Sequence, residues 1–180
     1  FAFSATAALL AAVLALGISS ARTRIPVGDA STDTVPLINR RALFPMIVFI
    51  SYTLTTAPVA TFLPLLAEER QLGNPGLFFT VFSFTTIFAM LLSGPLADRL
   101  GRATVIVPGL VLAAASMFLL TNAHHQATFL LAGFLNGAGF GLLQPGIQSF
   151  TVDRVAPRER SSALATLQSA WDIGGSGGAF

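Results

Sequence analysis

The chain has 180 residues, 53% of them hydrophobic and only 10% charged, with a formal net charge of +2. A soluble domain carries about 25% charged residues, so this chain cannot cover a folded surface in water and falls in the membrane class. The lack of cysteine excludes structural disulfides and thiolate metal sites, and a two-charge excess without lysine argues for membrane orientation, not for nucleic acid.

Six apolar stretches follow in chain order, at about 1–20, 44–67, 77–97, 104–121, 128–151 and 158–180. Each approaches the roughly 20 residues that a spanning helix needs. They are too long for barrel strands and lack strict alternation, so the expected fold is an all-α membrane bundle. The chain opens inside one apolar run without Met and stops inside another, so about six segments are expected, the first and last incomplete. A signal peptide over 1–20 is the rival reading, but that run has no basic leader, and cleavage would leave "ARTR" outside.

Residues 21–43 form a polar linker, and the other loops are short. If the segments alternate, 21–43, 98–103 and 152–160 share one side. Those loops hold nine of the ten arginines: Arg22, Arg24, Arg40, Arg41, Arg99, Arg102, Arg154, Arg158 and Arg160. The opposite side holds Arg70 alone, beside Glu68 and Glu69. The arginine-rich side is therefore expected to be cytoplasmic. His124 and His125 fall in an external loop without acidic neighbours, so no metal site is expected.

Within 44–67, Ser51, Tyr52, Thr55 and Thr56 interrupt the apolar run, and each hydroxyl can bond its own helix backbone. At 94–102 the run breaks into "GPLADRLGR". Ser93-Gly94-Pro95 is expected to end one span, and Leu100-Gly101 to allow a tight turn into a helix near Thr104. Asp98 would precede that helix, where free amides favour a carboxylate. Arg99 and Arg102 can pair with acidic groups on neighbouring helix ends. A plain cytoplasmic turn and a specific latch fit these residues equally.

In 128–151, Gly133, Gly137, Gly141 and Pro145 recur at four-residue spacing, a doubled G-x-x-x-G that favours close helix packing. Pro145 is expected to kink or loosen its helix. The adjacent stripe is Asn136, Phe140, Gln144 and Gln148, whose amides should face protein or a watery cavity. Asp172 lies deepest among the acids. Counted from Ser161 at 1.5 Å per residue, it sits about 16 Å into a core of about 30 Å. Gln168 shares its face. Asp172 reads either as a proton-coupling or cation-binding acid, or as a structural carboxylate bonded to a neighbouring helix.

"GPLADRLGR" resembles the G-x-L-a-D-R-x-G-R loop signature of the major facilitator superfamily. It departs at Ala103, where the family usually continues with a basic residue, and at Pro95. "GAGFGLLQPGIQSFTVDRVAPRERSSALATLQSAWDIGGSGG" is similar to the glycine-rich tenth helix, the following loop and the next helix of drug- and sugar-efflux facilitators, and "AEERQLGNPGLFFTVFS" is also typical of that group. The resemblance implies that 1–20 is the end of helix six, 21–43 the central cytoplasmic loop and 44–180 a C-terminal bundle of helices seven to eleven. It implies an inner-membrane secondary transporter moving a small organic solute by alternating access, coupled to protons and working in efflux. A facilitative uniporter and a non-transporting sensor or scaffold are the alternatives, and an enzyme is not expected.

By the same resemblance, Gly94, Asp98, Arg99, Gly101, Arg102, Asp153, Arg158 and Arg160 would form a cytoplasmic gate. Tyr52, Thr55, Thr56, Asn136, Gln144 and Gln168 would face the solute cavity. The implied partners are the solute, the lipid bilayer and the N-terminal half of the same chain, with no cofactor beyond the coupling proton.

Overall fold

The computed structural model describes residues 42–177. The segment expected at 1–20 and nearly all of the linker expected at 21–43 lie outside the described residues. The described chain is all-helical: α1 Leu43–Glu69, α2 Pro75–Leu100, α3 Ala103–Thr121, α4 Gln126–Val152, a 3-10 turn Pro157–Glu159, and α5 Arg160–Gly177. Helices α1 to α4 are each long and apolar enough to cross a membrane. Over its 18 described residues α5 is not, because serines, Gln168 and Asp172 dilute its apolar content.

Local chemistry sets the helix ends. Asn74 caps α2, its side chain accepting from the Gly76 N–H at 2.8 Å, with Pro75 in the first helical position. The turn before it uses Gln71 and Gly73 at positive φ (53° and 95°). At the far end, α2 runs through Ser93-Gly94-Pro95 instead of stopping there. Proline's fixed φ is helical, and the backbone bond it forfeits lies near an exposed helix end. The chain turns at Gly101 (φ 98°), where a side chain would be strained. Asp98 consequently sits in the last turn of α2 and not ahead of α3.

Glycines let α4 pack on both sides. Along one face, a Cβ on Gly133 would meet the Phe78 carbonyl at 3.1 Å, on Gly137 the Phe82 Cα at 3.0 Å, and on Gly141 the Thr86 carbonyl at 2.6 Å, all on α2. Along the other face Gly139 lies against Gly109 of α3, whose carbonyl a Cβ would meet at 2.7 Å. In lipid, helix association depends on such close packing and on interhelical hydrogen bonds. Two buried hydroxyls supply the latter: Thr86 Oγ1 donates to the Gly137 carbonyl at 3.2 Å, and Ser116 Oγ to the Ala132 carbonyl at 2.8 Å. Pro145 is half-buried within α4.

Helices α1 and α5 form a second unit. Gly174 seats against Thr53, whose Oγ1 donates to the Ala170 carbonyl at 3.3 Å. Within the pair Trp171 lies 5.8 Å from Phe49, and against α4 Phe140 lies 5.7 Å from Trp171 and 6.0 Å from Tyr52. At the opposite end from Gly101, the Arg70 guanidinium donates to the Thr121 and Ala123 carbonyls at 2.9 and 3.1 Å. A cation there complements the negative end of α3.

Candidate functional site: an aromatic groove and an ion-pair cluster

A groove of about 500 Å³ opens between the two units. Helix α1 contributes Tyr52, Thr53, Thr56, Ala57, Val59, Ala60 and Thr61; α2 contributes Phe78, Phe79 and Phe82; α4 contributes Asn136 and Phe140; α5 contributes Trp171 and Gly175. Nine residues into α1 and ten into α4, Tyr52 and Asn136 lie about 14 and 15 Å from their helix starts. The two helices run in opposite directions, so on them the groove lies well inside the bundle, while on α2 it reaches Phe78 in the first turn.

Its polar chemistry is concentrated in two side chains. Tyr52 and Asn136 are 1% and 2% exposed, yet Tyr52 Oη and Asn136 Oδ1 have no hydrogen-bond partner among the described residues. Leaving a buried polar atom unpaired costs about 1–3 kcal/mol, so such atoms call for a functional account. The threonines contribute less. Thr56 Oγ1 donates to the Thr53 carbonyl at 3.1 Å, and Thr53 is occupied by helix carbonyls and Ala170.

Three of the sequence-named cavity candidates, Tyr52, Thr56 and Asn136, are brought together here. The others are not. Thr55 is buried and spends its hydroxyl on the Ser51 and Tyr52 carbonyls at 3.0 and 2.6 Å. Gln144 is half-buried on α4 outside the lining, and Gln168 and Asp172 are exposed on α5 outside it. The aromatic wall of Phe78, Phe79, Phe82 and Trp171 was not singled out from sequence. The four-residue step from Phe78 to Phe82 is its one sequence signal, weak in a chain with 16 phenylalanines.

At the arginine-rich end, Arg102 joins three helix ends. Its Nη1 donates to Asp98 Oδ1 at 2.8 Å and its Nε to Asp153 Oδ2 at 3.0 Å. Partial burial works against the guanidinium's charge, but the hydrogen bonds and charges of Asp153 and then Asp98 outweigh it and raise its pKa. Asp98 stands at the C-terminal end of α2, where the helix dipole disfavours a carboxylate; Arg102 compensates. Arg99, in the last turn of α2, and Arg160, at the start of α5, are exposed at the same end. Arg158 lies in the adjoining 3-10 turn. A Cβ on Gly94 would meet nothing within 4 Å.

Residues 43–180 match the Major Facilitator Superfamily. The chain belongs to that family. Its members are membrane transporters, not enzymes, so this facilitator chain is a multi-pass membrane protein. It is 30% identical over 125 residues to the uncharacterized MFS-type transporter YhjO of Bacillus subtilis, a match covering 68% of the chain and 31% of that protein. It is 32% identical over 101 residues to the multidrug resistance protein MdtL of Klebsiella pneumoniae, covering 56% and 25%. To the quinolone resistance protein NorA of Staphylococcus aureus it is 28% identical over 87 residues, covering 48% and 22%. The matched stretch is thus under a third of each relative's length. No solved structure matches the chain.

Proposed function

We propose that the protein containing this chain is a secondary active transporter that moves a small organic solute by alternating access, in efflux and at the expense of a proton gradient. One observation carries the reading: a solute-sized groove lies among four helices and holds two buried polar atoms with no hydrogen-bond partner among the described residues. The resistance names of two relatives support the efflux direction.

In this reading Tyr52, Thr56 and Asn136 touch the solute. Gly94, Asp98, Arg99, Gly101, Arg102, Asp153, Arg158 and Arg160 form the gate at the cytoplasmic end. The exposed ion pairs of Arg102 are worth about 0–1 kcal/mol each, weak enough to open in every cycle. Asp172 is the proton-coupling acid. It is exposed on α5, and a carboxylate at that depth must meet protein or water.

The test is counterflow of a panel of small organic drugs in vesicles holding the full-length protein. Counterflow should occur, and dissipating the proton gradient should stop net accumulation. Asp172→Asn should abolish proton-driven accumulation and spare counterflow. A uniporter has one observation in its favour, since no carboxylate or histidine lines the groove; accumulation that never exceeds equilibration would select it.

A further inference from the structure

We infer that this half of the solute site selects an uncharged, planar aromatic molecule that carries both a hydrogen-bond acceptor, met by the Tyr52 hydroxyl, and a donor, met by the Asn136 carbonyl oxygen. The inference rests on the transport reading and narrows its substrate class.

Ring geometry speaks first. Tyr52 and Phe140 lie nearly parallel, 14° apart with centroids at 6.0 Å, and Phe82 continues the series at 26° and 6.0 Å from Phe140. Parallel offset rings present an edge-and-face pattern that a further flat ring extends. A cage for an organic cation instead needs ring faces converging on one point; the tilted rings of the lining, Phe79 at 81° to Phe78 and Trp171 at 48° to Phe140, flank the stacked series.

Charge speaks second. No Asp, Glu, Lys, Arg or His is among the lining residues. An ion entering this groove would shed water without gaining a counter-charge there, a heavy cost. A neutral guest sheds far less.

The polar pair speaks third. Tyr52 Oη–H can donate, and Asn136 Oδ1 accepts. Tyr52 and Asn136 are nine-tenths buried or more and line the groove, and the two atoms, closed to water in this conformation, lack partners among the described residues. A guest bearing one acceptor and one donor satisfies both. Selectivity follows because a guest lacking either group leaves a buried polar atom unpaired. The volume of about 500 Å³ suits a guest of two fused rings, within the usual range for small-molecule sites.

The test measures binding to the purified full-length protein by equilibrium dialysis with three probes: naphthamide, its N,N-dimethyl derivative, which has lost the donor, and naphthylmethyl-trimethylammonium, which is charged. Naphthamide should bind about 3- to 10-fold more tightly than the dimethyl amide, the span of one hydrogen bond, and the cation should bind most weakly. Tyr52→Phe should weaken both amides by a similar factor. Asn136→Leu should lower naphthamide to the level of the dimethyl amide and leave the latter unchanged. Tyr52→Phe removes only an unpartnered hydroxyl, so it keeps the test intact even where Asn136→Leu fails to fold.

Cation binding as tight as that of naphthamide, amide affinity indifferent to Tyr52→Phe, or no binding of any probe overturns the inference. Counterflow of some other solute that ignores Tyr52→Phe overturns it while leaving transport standing. The expected binding pattern without counterflow of any solute overturns the transport reading instead.

Discussion

The α2–α4–α3 slab and the α1–α5 pair solve the same packing problem in different ways. In the slab, Gly133, Gly137 and Gly141 on one face of α4 and Gly139 on the other bring backbones together, with no space for a methyl group at 137, 139 or 141 and a tight fit at 133. Between the pair and α4, Phe140 meets Tyr52 and Trp171 with centroids 6.0 and 5.7 Å apart, and Phe49 of α1 packs behind both rings. Backbone contacts of the first kind fix a geometry, whereas a seam of rings can open, slide or admit a flat guest. The groove lies on the seam and not in the slab, which is where a moving boundary would need it.

The largest test of that contrast is Gly137→Val. Its Cβ would run into the backbone at Phe82, and such overpacking costs about 1–3 kcal/mol or more. Most of the folded, monodisperse protein should be lost on size-exclusion chromatography in detergent. Gly94→Ala, whose Cβ meets open space, should elute like the parent. Equal behaviour of the two variants would erase the distinction between slab and surface.

Arg102→Ala should act next. It frees Asp98 and Asp153 together, removing the tie among α2, α3 and α4 at one end. The chain has no native cysteine, so thiol labelling of Ala97→Cys, at a buried position one residue from Asp98, reports that opening. Its rate should rise about 3- to 10-fold, in line with exposed pairs of about 0–1 kcal/mol each. The same pairing fixes a sign with pH. The Arg102 pKa is raised, so its contribution is complete below the unfolded value and lost only as pH climbs through the still higher folded one. Deprotonation of Arg102 should therefore make no contribution to labelling between about pH 6 and 9.

Smaller effects belong to the seam. Thr53→Val removes the hydrogen bond to Ala170 and should cost about 0.6 kcal/mol, typical of such bonds in membranes, read as a modest drop in Tm. Tyr52→Phe removes a hydroxyl with no partner among the described residues, so Tm should hold or rise slightly.

The spans were readable because polar and charged loops mark their ends: the stretch 128–151 became Gln126–Val152, and 44–67 became Leu43–Glu69. Proline misled at 95, since a helix end near water tolerates what a buried one does not. The groove was readable only where a polar atom broke an apolar run, as at Tyr52 and Asn136. Its phenylalanine wall was not, because Phe is equally at home against lipid and against a solute. Thr55 and Gln144 carry the same hydroxyl and amide groups as Thr56 and Asn136 but lie outside the lining; spacing ranks residues along one helix without saying which face meets another.

The account's central claim is that the groove is a solute path reachable from each side in turn. Labelling of Thr56→Cys by a membrane-impermeant thiol reagent, in right-side-out and inside-out vesicles of the full-length protein, tests it most directly. The account predicts labelling from both sides, slowed by a bound solute, while Phe88→Cys on the exposed face of α2 labels from neither. Labelling of Thr56→Cys from one side only, or from neither, would contradict it.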